Sequence, residues 1–239
     1  MGDATDPPVP PIAARFETTV LRAPAPPQRP GFLAAPVTPA GPVRESTDWY
    51  LWRTDARLEV RDAAGDTGER WDRDPATGRV TGYTRLFHAH RRAVEYVQGD
   101  LAATGLAFDW YKLATAGAGR RLPYLADLGP VRVLNRDARL YAGTVAGVFV
   151  EVHWLPDQQL PALLREVHPD RVVTLVLAEF GPPAQLAAAR ADTAGYDVMD
   201  FADVGDKEAD PLVKALCAGL PGHVGCTHAL AAATTPAGR

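Results

Sequence analysis

Apolar and polar residues alternate along most of the chain between Thr47 and Phe180, and clusters of turn-forming residues interrupt the alternation. In ARLEVRD, Ala56, Leu58 and Val60 fall on one side of an extended chain, and Arg57, Glu59 and Arg61 fall on the other. DWYLWR precedes this strand, AAGD turns the chain into TGERWDRD, and DPATGR supplies Pro and Gly for a tight turn with a bulge. VTGYTRLFHAHRRAVEYV is long enough for one bent strand or two. GDLAATG and FDWYKLATAG are the first segments with helical character.

A second meander opens at Val131 with VRVLNRDARLYAGTV, turns at Ala146-Gly147 and continues in VFVEVHWL. There Val148, Val150, Val152 and Trp154 form an apolar row opposite Phe149, Glu151 and His153, the pattern of a half-buried strand. LPALLREV, the turn HPD and RVVTLVLAEF add two strands, and the last is apolar on both faces, as a central or covered strand is. ARFETTVLRA, residues 14 to 23, reads as an earlier strand. After Phe180, PPAQLAAARAD predicts a helix with proline in its first turn, and ADPLVKALCAGL predicts a second. The closing ALAAATTPAGR carries little signal.

These elements predict an α+β fold: a large curved antiparallel β-sheet, a half-barrel-like meander, with a few helices mid-chain and at the C-terminus. Residues 1–46 are expected to hold one strand and an extended arm, since 11 of the 22 prolines fall within the first 42 residues. Residues 47–180 form the sheet, and 181–239 are expected to pack on it as a helical segment whose tail lacks order. A sheet that buries one face under so few helices must curl or hold something.

A net charge of −4 and a pI near 5.9 disfavour nucleic acid, which requires a concentrated basic surface. Only three of the 25 basic residues are lysine, and Ser46 and Asn135 are the sole serine and asparagine, a skew typical of GC-rich coding. No apolar run reaches the roughly 18 residues of a membrane span. The start, MGDATDPPVPP, shows neither a basic n-region nor an apolar h-region; at face value that reads as cytoplasmic, and a trimmed export signal would leave the same start.

GxSxG, P-loop, HExxH, GxGxxG and CxxC patterns are all absent, and no coherent set of nucleophile, base and orienting group emerges, so an enzyme is not expected. His88 and His90, two apart in a segment read as strand, would project from one face and could supply two imidazoles to a metal, but no third ligand is spaced to join them. Cys217 and Cys226 suit one local disulfide or two free thiols, and with His223 and His228 they form a second metal candidate that fits no zinc-finger frame. Asp200, Asp203, Asp206, Glu208 and Asp210 do not follow the order of a calcium loop. The aromatics concentrate in the first meander. Trp49, Trp52, Trp71, Tyr83, Phe87, Tyr96 and Trp110, joined by Trp154, are either core packing or the lining of an apolar pocket.

RLYAGTVAGVFVEVHWLPDQQLPALLREV combines a strand with Tyr-x-Gly, a tight turn, an apolar strand ending in Trp-Leu, an acidic turn and a Leu-Pro opening. This unit resembles the lipoprotein-carrier superfamily, which includes LolA, LolB and the related domain of the sigma-regulatory RseB proteins. The likeness runs from Phe16 to Phe180 in strand order and from Tyr141 to Leu163 in motif. It implies an antiparallel sheet wrapped around helices, with an apolar cavity for acyl chains, in the periplasm or cell envelope. The resulting expectation is a non-enzymatic binding protein for a lipid, an acylated partner such as a lipoprotein, or another hydrophobic ligand. It would need no cofactor and would be peripheral to the membrane at most. A periplasmic metal-handling protein using His88 and His90, or the Cys217–His228 segment, is the alternative.

Overall fold

The structure is a computed structural model that describes residues 7–23, 41–103 and 108–207. Twelve strands form one open sheet: β1 (Ile12–Arg22), β2 (Val43–Arg53), β3 (Arg57–Asp62), β4 (Thr67–Arg73), β5 (Val80–Phe87), β6 (Arg92–Val97), β7 (Ala126–Val133), β8 (Arg136–Val145), β9 (Val148–Leu155), β10 (Leu160–Val167), β11 (Arg171–Gly181) and β12 (Asp197–Asp200). Their spatial order is 12-6-5-4-3-2-1-11-10-9-8-7. Two consecutive meanders, β1 to β6 and β7 to β11, are therefore sewn together by antiparallel pairing of β1 with β11. The expected large antiparallel sheet is present, and among the described strands β12 alone pairs in parallel, with β6.

The local chemistry explains the turns. Leu134-Asn135 and Ala146-Gly147 both place two successive residues at positive φ, the mirror-image turn whose twist matches that of a hairpin. Register shifts at Arg15/Phe16, Asp72/Arg73, Asp127/Gly129 and Pro161/Leu163 bend their strands and increase local twist. β1 and β2 pair antiparallel along their whole length, with Arg22 opposite Val43.

Two connections cross the sheet on opposite faces. The first, from β6 to β7, carries α1 (Gln98–Ala103) and α2 (Trp110–Ala114) across the inner face, and Leu101, Trp110, Tyr111, Ala114, Ala116 and Ala118 are buried there. The second, residues 182–196 between β11 and β12, crosses the outer face, where Leu186 and Ala189 cover Ala13, Tyr50 and Trp52. The helix expected from PPAQLAAARAD is absent: it is a single 3-10 turn at Ala187–Ala189. An α-helix would shorten a segment that must span β1 to β5 and set Arg190 against buried Glu59, with nitrogen–oxygen distances of 3.0 and 2.7 Å. That contact also buries Glu59, which alternation had placed on the wet side. The ADPLVKALCAGL helix and the tail lie outside the described residues. No helix among the described residues is long and apolar enough to cross a membrane.

Candidate ligand-binding face of the sheet

Strand parity decides which side chains meet. On β2, Trp49, Leu51 and Arg53 point inward and Tyr50 and Trp52 point outward. Register then extends the inner row: Leu51 lies opposite Val60 of β3, Leu58 opposite Trp71 of β4, Trp71 opposite Tyr83 of β5, and Tyr83 opposite Tyr96 of β6. In the other direction Phe16 of β1 lies opposite both Trp49 and Leu177 of β11, and Leu164 of β10 faces Leu175 and Val152 of β9. One apolar surface therefore runs across eight or more strands.

The rings on this surface interlock. Phe16 stacks on Trp49 at 4.6 Å, Trp71 on Tyr83 at 5.6 Å, and Tyr83 tilts against Tyr96 at 5.2 Å. Phe108, just before α2, touches Trp71 at 6.0 Å and Tyr83 at 4.9 Å, and Phe201 stacks on Tyr96 at 4.4 Å. Of the aromatics singled out from sequence, Trp49, Trp71, Tyr83, Phe87, Tyr96, Trp110 and Trp154 belong to this inner cluster, with Phe87 partly buried at its margin. Trp52 does not join them; it lies under the outer connection.

His88 and His90 are not on a strand. They form a 3-10 turn between β5 and β6, closed by Arg91 at φ 50°, so the expected side-by-side projection is replaced by divergence. His88 Nδ1 meets Tyr196 Oη at 2.9 Å, while His90 is exposed. Among the described residues no three His, Cys, Asp or Glu side chains gather as a metal site, and the Cys217–His228 segment lies outside them.

Of the buried charges on the inner face, Arg53, Glu166 and Glu69 escape a reading based on apolar periodicity. Arg53 is fully buried and has no carboxylate partner among the described residues. Its Nε donates to Pro10 O at 2.9 Å, Nη2 to Gln158 O at 2.7 Å, and Nη1 to Ala114 O and to Gln159 O, the last at 3.3 Å. Burial lowers its pKa to about 10, against a smaller upward pull from Tyr111. Glu166 is held by Arg121 at 2.6 Å and by His168 at 3.1 Å. Glu69, on β4 beside Trp71, accepts a hydrogen bond from Tyr83 Oη at 2.7 Å. Burial pushes its carboxyl up to about 7, opposed by that hydrogen bond and by Arg85. A usable signal for Glu69 does exist in the sequence: it stands two residues before Trp71, on the same face of the strand.

Ala114 O on Arg53, Tyr111 Oη donating to Gln159 Oε1 at 3.1 Å, and Arg121 on Glu166 tie the inner connection to the sheet and its turns. Beyond it the chain surfaces, with Tyr124 72% and Leu128 59% exposed near the β7 edge.

A comparison with protein-family models gives no match, and neither does a sequence comparison with curated proteins. A comparison with solved structures does find matches. The Pseudomonas aeruginosa MucA/MucB complex matches at a TM-score of 0.35 and 13% identity, over 74% of this chain and 56% of that one. An uncharacterised conserved protein from Thermus thermophilus matches at 0.34 and 11%, over 78% and 90%. A putative outer membrane lipoprotein-sorting domain from Vibrio parahaemolyticus matches at 0.27 and 7%, over 72% and 85%. This chain therefore spans just over half the length of the MucB chain. These three matches lie at identities of 7–13% and TM-scores no higher than 0.35.

Proposed function

We propose that this chain is a non-enzymatic binding protein of the cell envelope, whose inner sheet face takes up a lipid, the acyl chains of a lipoprotein partner or a similar hydrophobic ligand. The observation that supports this most is the continuous aromatic and aliphatic inner surface, covered by a crossover whose described helical residues are Gln98–Ala103 and Trp110–Ala114. An isolated helix as short as the five-residue α2 does not hold itself together in water, so that part of the cover keeps its shape through its contacts with the sheet. A ligand that offers the same apolar contact can replace it at modest cost. Acyl chains suit the surface because they are flexible and gain about 0.8 kcal/mol per buried methylene.

Titrating the full chain with a dansylated fatty acid tests the reading. The expected result is saturable blue-shifted emission, competed by unlabelled lipid and weakened by Tyr96→Ala. No uptake under any condition, together with a mass spectrum of the gently purified protein that shows no bound lipid, would overturn it.

A further inference from the structure

The inner face of β4 is not purely apolar. Glu69 and Trp71 are only 4% and 2% exposed, yet Glu69 Oε2 and Trp71 Nε1 have no hydrogen-bond partner among the described residues. The two side chains project from the same face, about 7 Å apart along the strand. A third such atom comes from the cover: Trp110 Nε1 is likewise buried and without a partner, and the Trp110 ring lies 4.4 Å from the Arg73 guanidinium at the end of β4. Buried polar atoms are nearly always paired, because leaving one bare forfeits its hydration with nothing in return. Here an acceptor and a donor stand on one face of β4, and a further donor comes from the connection that covers it.

We infer that this spot reads the polar end of the ligand: Glu69 and Trp71 receive an uncharged, hydroxyl-bearing head while the hydrocarbon chain lies along the inner face. This rests on the proposed hydrophobic-ligand role and adds the class of ligand to it. The charges present select against ionic heads. Arg85, opposite Glu69 in register and buried, opposes an ammonium, and the burial that disfavours the ionised form of Glu69 disfavours a second carboxylate beside it. Glu69 Oε1 is already taken by Tyr83, which fixes the carboxyl and leaves Oε2 for the ligand. A hydroxyl can donate to that oxygen and accept from the Trp71 indole N–H, satisfying both with one group.

The test compares decanol, decanoate and decylamine, equal in chain length, by calorimetry on the full chain at neutral pH. Decanol is expected to bind at least about tenfold more tightly than either ion, the value of roughly one well-made hydrogen bond. Alcohols enter any apolar site more readily than ions do, so the deciding readout is the variant series. Trp71→Phe and Glu69→Leu each remove one of the two polar groups and are expected to shrink the preference by about tenfold. Trp71→Phe keeps a ring in place and carries the test if Glu69→Leu fails to fold. Equal binding of all three heads, or an undiminished preference in Trp71→Phe, overturns the inference and leaves the broader role standing. If no amphiphile binds at all, both fall.

Discussion

His88 Nδ1 and Tyr196 Oη, 108 residues apart in sequence, lie 2.9 Å apart and pin the outer connection to the β5–β6 turn. Burial lowers the pKa of His88 below its ordinary 6.5, Arg61 lowers it further, and Glu59 opposes them. The folded state therefore binds a proton here less readily than the unfolded chain. The stabilisation from neutral His88 is present above pH 6.5 and is lost as the pH falls below it. Hydrogen exchange over residues 182–200 should speed up on acidification, after correction for intrinsic rates. His88→Gln should flatten that dependence. An unchanged profile in the variant would remove His88 from this role.

Glu69 carries the opposite sign. Its folded pKa of about 7 exceeds the ordinary 4.5, so the folded state holds the proton more tightly. The resulting stabilisation is full below pH 4.5 and disappears as the pH rises through about 7, with an upper bound of about 3 kcal/mol. Urea midpoints of the wild type should fall across that window relative to Glu69→Gln. Parallel curves for the two proteins would refute the assignment.

Arg53 holds four backbone carbonyls from three separate segments. Arg53→Leu is expected to cost about 3–5 kcal/mol, because several buried acceptors lose their donor at once. Arg53→Lys should recover only part of that, since an ammonium lacks the planar fork that reaches all four. Denaturant unfolding measures both, and a loss under about 1 kcal/mol in Arg53→Leu would contradict the hub role.

Trp52 separates stability from binding. Because it lies on the outer face under Leu186, Trp52→Ala should cost about 3–5 kcal/mol yet leave fatty-acid uptake at its wild-type affinity. Tyr96→Ala, on the inner face, should weaken both. A fall in affinity in Trp52→Ala that matches that of Tyr96→Ala would mean that the faces are wrongly assigned.

The strands were legible wherever alternation and a turn residue coincided, as at Val148 to Trp154 after Ala146-Gly147. LFHAHRRAVEY hid its turn because none of the residues there is Gly, Pro, Asn or Asp; Arg91 adopts the left-handed conformation without the usual signal. The alanine-rich PPAQLAAARAD satisfies helix propensity but is overruled by tertiary demand, since its Arg190 must reach Glu59 and its Leu186 must cover Trp52. For the candidate site, composition identified the aromatic set, but face membership depends on odd or even position. Trp49 and Trp52 differ in parity, which separates them once the strand is granted. Arg53 remained hidden because its partners are backbone carbonyls supplied by remote loops.

The pairing of β1 with β11 joins the first strand of the chain to one that begins about 150 residues later. During synthesis, then, β1 can bond on only one of its sides until the ribosome has released residues beyond 181, and the Phe16–Leu177 seam is the last long edge to be sealed. Nascent chains halted before that point expose a sticky half-sheet. Assembly of this protein is therefore expected to be slow and to depend on holdase chaperones.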